Sequence, residues 1–323
     1  MHTSWLTAKS YGQLSNQVQG AFIAPLPAFD VVRVGGTDNR KYLQSQTTCD
    51  IDQLDEQHFL RGAHCDAKGK TWSVFHLLQQ DDELLVIAFR DELNASVNQW
   101  QKFGVFSKVS FTAGHDNYAI LGIGGEGAAT LVSQLGFKLP GANGRLSRHN
   151  DGTVLQLAAQ HYMLVLAKSD AIALLDKDYP LAAPTLWLKQ HILHGLCYLE
   201  QPLIGEFVPQ MLNLQAVSAI SFTKGCYLGQ ETVARMKYLG RNKRAAWILQ
   251  AQTDEAPAAG CDIEQQFNDN WRRVGQVINA VNINNQLWLI AVLPNDITPA
   301  DSLRLKSDSA PALQLLPLPY PLS

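Results

Sequence analysis

From Phe29 to Phe89 the chain runs through short apolar segments of strand length, several of them separated by turns of only a few residues. Connections that short restrict neighbouring strands to antiparallel hairpins, because a parallel pair needs a crossover of a dozen residues or more. The strand-like run Phe29 to Val34 ends at Gly35-Gly36, and Leu60 to His64, Thr71 to Leu78 and Leu84 to Phe89 follow as successive strands. Helical spacing interrupts them twice. Within Asp38 to Thr48, Tyr42, Leu43 and Gln46 fall on one face with Thr37 or Asp38 available as N-cap, and Glu92 to Phe103 aligns Leu93, Val97 and Trp100. Val105 to Thr112 returns to strand character. A second round follows: strand at Tyr118 to Gly124, helix at Gly127 to Leu135, strands at Thr153 to Ala158 and Tyr162 to Ala167, helix at Ser169 to Leu175. Two such rounds point to an internal duplication.

Pro184 to Gly195 and Gln230 to Tyr238 have helical spacing, and after Gly240 the texture changes to short strand candidates. These are Ala245 to Gln252, Val274 to Ile283, Leu287 to Leu293 and Ser302 to Lys306, which read as a small all-β module. The expected division is an N-terminal extension over 1–21, an α+β region over 22–240 and a β-barrel over 241–323. The proline-punctuated tail, Leu316 to Tyr320, is expected to pack back onto the barrel. A chain of 323 residues has room for these units.

Lys plus Arg total 26 against 29 Asp plus Glu, so no global basic field holds a nucleic acid. The five cysteines are widely spaced without a CxxC, which argues against a disulfide framework or an autonomous zinc site. No run approaches the roughly 20 apolar residues of a membrane span, and the N-terminus lacks the pattern of a signal peptide. The expected location is cytoplasmic, with no membrane partner.

The densest chemistry lies in Phe222 to Arg235, where Cys226 stands between Gly225 and Gly229, ahead of a helix. A helix N-terminus and the cation of Lys224 both favour thiolate over thiol, so Cys226 is expected to be reactive where solvent reaches it. A tight loop around a buried, inert cysteine is the alternative.

Lys224-Gly225-Cys226-Tyr227-Leu228-Gly229-Gln230-Glu231 resembles the KGCYxGQE signature of the YgfZ group, the tRNA-modifying, folate-binding branch of the aminomethyltransferase-like superfamily. Asp38 to Gln44 with Gln46 and Thr48, Ala63 to Lys70, Lys102 to Val109 and Leu316 to Tyr320 resemble further segments of the group. The resemblance implies two related α+β subdomains of aminomethyltransferase-like, folate-binding fold, followed by a small C-terminal β-barrel. It also implies tetrahydrofolate or another folate as ligand, and iron-sulfur enzymes that thiolate tRNA as partners. A transient iron-sulfur cluster is a second candidate cofactor, though one thiol cannot hold it alone.

By the same resemblance Trp187 occupies a folate-binding aromatic position, Phe29 stands where a second aromatic, usually Trp, is found, and Gln210 replaces a carboxylate that meets the pterin. Phe29 reads more simply as core strand. Arg235 or Lys237 is a candidate for the glutamate tail. The basic run Arg235, Lys237, Arg241, Lys243 and Arg244 gives only a slender case for direct tRNA binding, since no RNA-binding motif accompanies it. His64, Cys65 and Asp66 are consecutive and poorly placed for one metal, and His191 with His194 suggests no third ligand. No metal site is expected.

Three functions compete. The first is a folate-binding accessory protein that supports tRNA thiolation and iron-sulfur enzyme maintenance, with Cys226 as its reactive thiol. The second is a folate-dependent aminomethyl or one-carbon transferase. It is disfavoured because the transferases' Asn-Ala stretch is absent from Leu84 to Leu93 and because Gln210 carries no charge. The third is a non-catalytic docking protein.

Overall fold

The computed structural model describes Leu6 and residues 14–150, 152–240 and 242–322. Its elements run in chain order as β1 (Phe22–Pro25), β2 (Phe29–Gly35), α1 (Asn39–Gln46), β3 (Leu60–Cys65), β4 (Thr71–Gln80), β5 (Glu83–Phe89), α2 (Arg90–Phe103) and β6 (Ser110–Ala113). A second series holds β7 (Tyr118–Gly124), α3 (Ala128–Gln134), β8 (Leu146–His149), β9 (Gly152–Ala158), β10 (His161–Ala167) and α4 (Lys168–Leu175). Helices α5 (Pro184–Leu193) and α6 (Gln230–Tyr238) follow.

Both series form a five-stranded antiparallel sheet, ordered β3-β4-β5-β2-β6 in the first and β8-β9-β10-β7-β1 in the second. The orders correspond strand for strand, so the duplication expected from sequence is present in the topology. Only the edge strand differs in origin: β6 follows its own unit, whereas β1 precedes the unit it joins. The inner faces pack together through Phe29, Val31, Leu85 and Ile87 from one sheet and Ile120, Leu155, Met163 and Val165 from the other. Helices α1 and α2 cover the outer face of the first sheet, and α3 and α4 that of the second.

Strands β11 (Arg244–Gln252), β12 (Asp262–Phe267), β13 (Asn270–Ile283), β14 (Gln286–Pro294), β15 (Leu303–Leu305) and β16 (Ala312–Leu316) close into a barrel. Period-two alternation sends Leu249, Ala251, Leu287, Leu289, Ala291 and Leu293 inward. Ala246, Ile248, Ile290 and Val292 point outward and pack against the α+β region. The tail follows the barrel only as far as β16, which pairs with β11. Beyond it the Tyr320 hydroxyl donates to Gly195 O at 2.6 Å, tying the tail to the end of α5.

One expectation changes. The strand expected over Val105 to Thr112 shrinks to β6, and the preceding turn leaves Phe106 fully exposed. No helix among the described residues is long and apolar enough to cross a membrane.

The core holds neutral imidazoles. Burial draws His64 and His76 down to about 3, and His161 and His191 also well below the usual range. The unfolded chain therefore takes up protons first as pH falls below about 6.5. Their contribution to stability is whole above that pH and is lost toward pH 3, at roughly 1 kcal/mol per unit for each imidazole. Urea unfolding at pH 5 should show a stability several kcal/mol below that at pH 7, and His76→Asn should shrink the drop by about 2 kcal/mol. Equal stability at both pH values contradicts this.

Candidate functional site

Helix α1 ends with carbonyls that have no intrahelical donor, and its last turn contains no basic residue. Lys224, far along the chain, supplies one. Its buried ammonium donates to Gln44 O at 2.7 Å, Thr47 O at 2.9 Å and Cys49 O at 2.5 Å. A cation at a helix C-terminus also meets the negative end of the macrodipole. Thr48 extends the junction: its hydroxyl donates to Ala219 O at 2.6 Å and accepts from Ala63 N at 2.8 Å, while Ser221 N donates to Thr48 O. Leu228 N donates to Ser45 O at 3.0 Å.

Gly229 completes the junction from the other side. It has φ +82°, and a Cβ there would fall 2.6 Å from Asp66 O and 2.9 Å from Gly69 Cα. Only glycine fits so close an approach in that conformation. Gly225 has no such constraint, because a Cβ there would meet nothing within 4 Å. The segments 38–48, 63–70 and 224–231, distant in sequence, thus converge on one place.

Cys226 is exposed on this loop, whereas Cys49, Cys65 and Cys197 are buried and Cys261 is half-buried in the barrel. Burial pushes the Cys49 thiol up to about 11 and that of Cys65 up to about 12. Tyr227 turns inward beside Cys65, and burial raises its hydroxyl as well. Helix α6 starts at Gln230, and Glu231 in its first turn pairs with Arg235 at 2.5 Å. Lys224 corrects an expectation: its ammonium is spent on three carbonyls at the end of α1, so it acts as a clamp and makes no hydrogen bond to Cys226.

Beside the junction lies a cavity of about 1100 Å³. Cys49 and Asp50 reach it from the clamped turn, Ser221 to Thr223 from the signature loop, and Asn295 and Leu322 from the barrel and tail. Gln210 is on its wall and buried; its Nε2 donates to Val233 O at 2.6 Å, and its Oε1 has no partner. Gln215, on the same wall, also has an unpartnered buried Oε1. Lys237 stands at this cavity with its Nζ 3.8 Å from the centre of the Phe222 ring. Sequence reasoning missed Gln215 and Cys49, which carry no local signal, and gave Phe222, at the head of the signature stretch, no role of its own.

Trp187 is corrected as a stacking platform. It is fully buried and its Nε1 donates to Tyr162 O at 2.9 Å. His161 and His191 stack on the ring with centroids at 4.4 and 5.0 Å, and a Cβ on Gly122 would lie 2.2 Å from its Cδ1. Neighbours occupy the ring, leaving no face for a pterin. Phe29 is core, edge-on to Trp187 at 5.8 Å. His191 is buried with Nδ1 3.2 Å from His161 Nε2.

The basic run also disperses. Arg235 is paired with Glu231, Arg244 donates to Val274 O and Val292 O, and Arg241 lies outside the described residues. Among the described residues no three His, Cys, Asp or Glu side chains are grouped to hold a metal ion.

Comparison with known proteins places these observations. A model of the YgfZ beta-barrel domain matches residues 242–308. The tRNA-modifying protein YgfZ of Pectobacterium carotovorum is 38% identical over 291 residues, 88% of this chain and 87% of that protein. Its counterpart in Yersinia pseudotuberculosis is 38% identical over 299 residues, 91% and 90% of the two chains. The glycine cleavage system aminomethyltransferase T of Bartonella henselae superposes with a TM-score of 0.69 over 96% of this chain and 88% of its own, at 14% identity. That likeness is one of fold.

Lys224→Met should lower unfolding stability by about 2–4 kcal/mol, because buried carbonyls lose their donor. Cys226→Ser, at an exposed position, should stay within about 0.5 kcal/mol of the wild type. Urea melts of both variants test the clamp, and a Lys224→Met chain as stable as wild type contradicts it.

Proposed function

The chain belongs to the YgfZ family of tRNA-modifying proteins, and on that premise we propose that it is a folate-binding accessory protein for tRNA thiolation and the upkeep of iron-sulfur enzymes. The folate occupies the cavity beside the signature loop, and Cys226 is the thiol presented to partners. The observation that carries this reading is a cavity of about 1100 Å³ whose wall brings together the amide of Gln210, the ring of Phe222 and the ammonium of Lys237. The Oε1 of Gln210 has no protein donor and is closed off from solvent, so it accepts from a ligand N–H once the side chain turns toward the cavity, a bond of about 1 kcal/mol. A pterin offers such donors along one edge. Phe222, with Lys237 above it, is an aromatic face on the same cavity.

Bound folate supplies one-carbon or redox chemistry; the chain contributes the amide, the aromatic ring and, three residues beyond the cavity-lining Thr223, an exposed thiol. Gln210 is neutral, which disfavours the aminomethyl-transfer alternative, where a carboxylate assists the attacking folate nitrogen. Iron-sulfur work by Cys226 requires further ligands from a partner. The cytoplasm is the compartment that fits reduced thiols.

A docking role with no thiol chemistry has one observation in its favour, the exposed Phe103, Val105 and Phe106 at the turn after α2. Two measurements separate the readings. Calorimetry with tetrahydrofolate should give binding that Gln210→Met weakens about tenfold, and Cys226→Ser should fail to restore tRNA thiolation in cells lacking the protein. Full restoration by Cys226→Ser sinks the thiol role, and unchanged folate affinity in Gln210→Met removes the cavity assignment.

A further inference from the structure

Helix α2 runs out into a turn that carries three apolar side chains into solvent. Phe103 is 54% exposed, Val105 71% and Phe106 wholly so. Single exposed apolar residues are ordinary on a protein surface, but three within four positions form a knob. Its backbone is fixed. Gly104 N donates to Trp100 O at 2.8 Å and Ser107 N to Gly104 O at 2.9 Å. Lys108 and Asp38 hold each other: Asp38 N donates to Lys108 O at 3.1 Å, and Lys108 N donates to the Asp38 carboxylate at 2.9 Å. Gly36, at φ +96°, permits this approach, since a Cβ there would collide with Lys108 O.

Cations border the knob. Lys102 and Lys108 flank it in sequence, Lys41 stands in the first turn of α1 beside Asp38, and all three are exposed. Among the described residues no acidic side chain pairs with any of these ammonium groups. The exposed edge of α1 also links the knob to the thiol. Lys41 and Ser45, four residues apart, lie along that edge, and Ser45 O accepts from the amide of Leu228, two residues after Cys226. Eight helical residues rise about 12 Å, so the knob at the start of α1 and the exposed Cys226 beyond its end fall within the width of one protein interface.

We propose that the turn from Lys102 to Lys108 is a docking knob for the protein to which Cys226 is presented, and that it enters an apolar pocket with an acidic rim. This rests on the reading of Cys226 as a partner-facing thiol. A protein fits the knob better than a nucleic acid does. Base stacking uses rings set along a basic groove, whereas this is a convex tip on which Val105 offers no ring. Phe106 and Phe103 supply the buried centre of the contact, and the lysines around them set its orientation and the speed of encounter.

Full-length variants expressed in cells lacking the protein test it, with tRNA thiolation as the readout. Phe106→Asp and the double variant Lys102→Glu/Lys108→Glu should each restore a tenth or less of the wild-type level, as loss of an interface anchor implies. These positions are exposed, so urea melts, tetrahydrofolate affinity and the maleimide reactivity of Cys226 should match wild type. A diazirine-bearing amino acid placed at position 106 should, on irradiation, join a protein at a segment lining an apolar pocket rimmed by Asp or Glu. The lysine double variant should abolish that adduct, and replacing the rim acids of the joined protein by lysine should return thiolation to it. An adduct with RNA or with a second copy of this chain, the absence of an adduct, or full restoration by Phe106→Asp overturns the knob and leaves the reading of Cys226 standing. Full restoration by Cys226→Ser overturns that reading, and this inference with it.

Discussion

One ammonium group organises this molecule's most informative region. Lys224 gathers the carbonyls of Gln44, Thr47 and Cys49, groups that a helix end cannot satisfy by itself. The bond is strong because a charged donor is buried among backbone acceptors, and its effect is long-range because it spans about half the chain in sequence. With Lys224 anchored, the loop that follows has little freedom: Tyr227 goes inward, Gly229 presses on the Asp66 turn, and Cys226 is left outside.

The duplicated sheets explain why such a clamp is available. Each unit packs its inner face on the other and its outer face under helices, which leaves the connections at one end to meet the barrel. There the end of α1, the turn between β3 and β4, the loop before α6 and the outer face of the barrel come together, with a cavity beside them. Gln210 and Gln215 on the cavity wall each hold a buried oxygen with no protein donor. A core of buried aromatics, Trp187 and Phe29 among them, lies elsewhere.

Much of this was legible from residues alone. Period-two and helical spacing located β2 to β5, α2, β7, β9 and β10, and helix α6 begins and ends where its spacing says. Strands β12 and β16 were not legible, since Ile263 and Leu313 are the only fully buried side chains in each and the pattern does not register. The site was legible in its motifs and not in its contacts. Lys224 reads as an activator of its neighbour Cys226 because its true partners lie some 175 residues upstream. Trp187 reads as a ligand platform because its position resembles one, while the histidines and glycine that cover it come from other segments. Gln215 carries no motif; only burial without a partner marks it.

The arrangement turns on Cys226 standing outside while the clamp keeps its neighbours in. Native protein treated with a charged maleimide, with the modified sites mapped by mass spectrometry, examines that directly. Cys226 should react first, Cys261 more slowly, and Cys49, Cys65 and Cys197 only after unfolding. Protection of Cys226 in the native chain, or early modification of Cys49, would contradict the clamp and the outward thiol together.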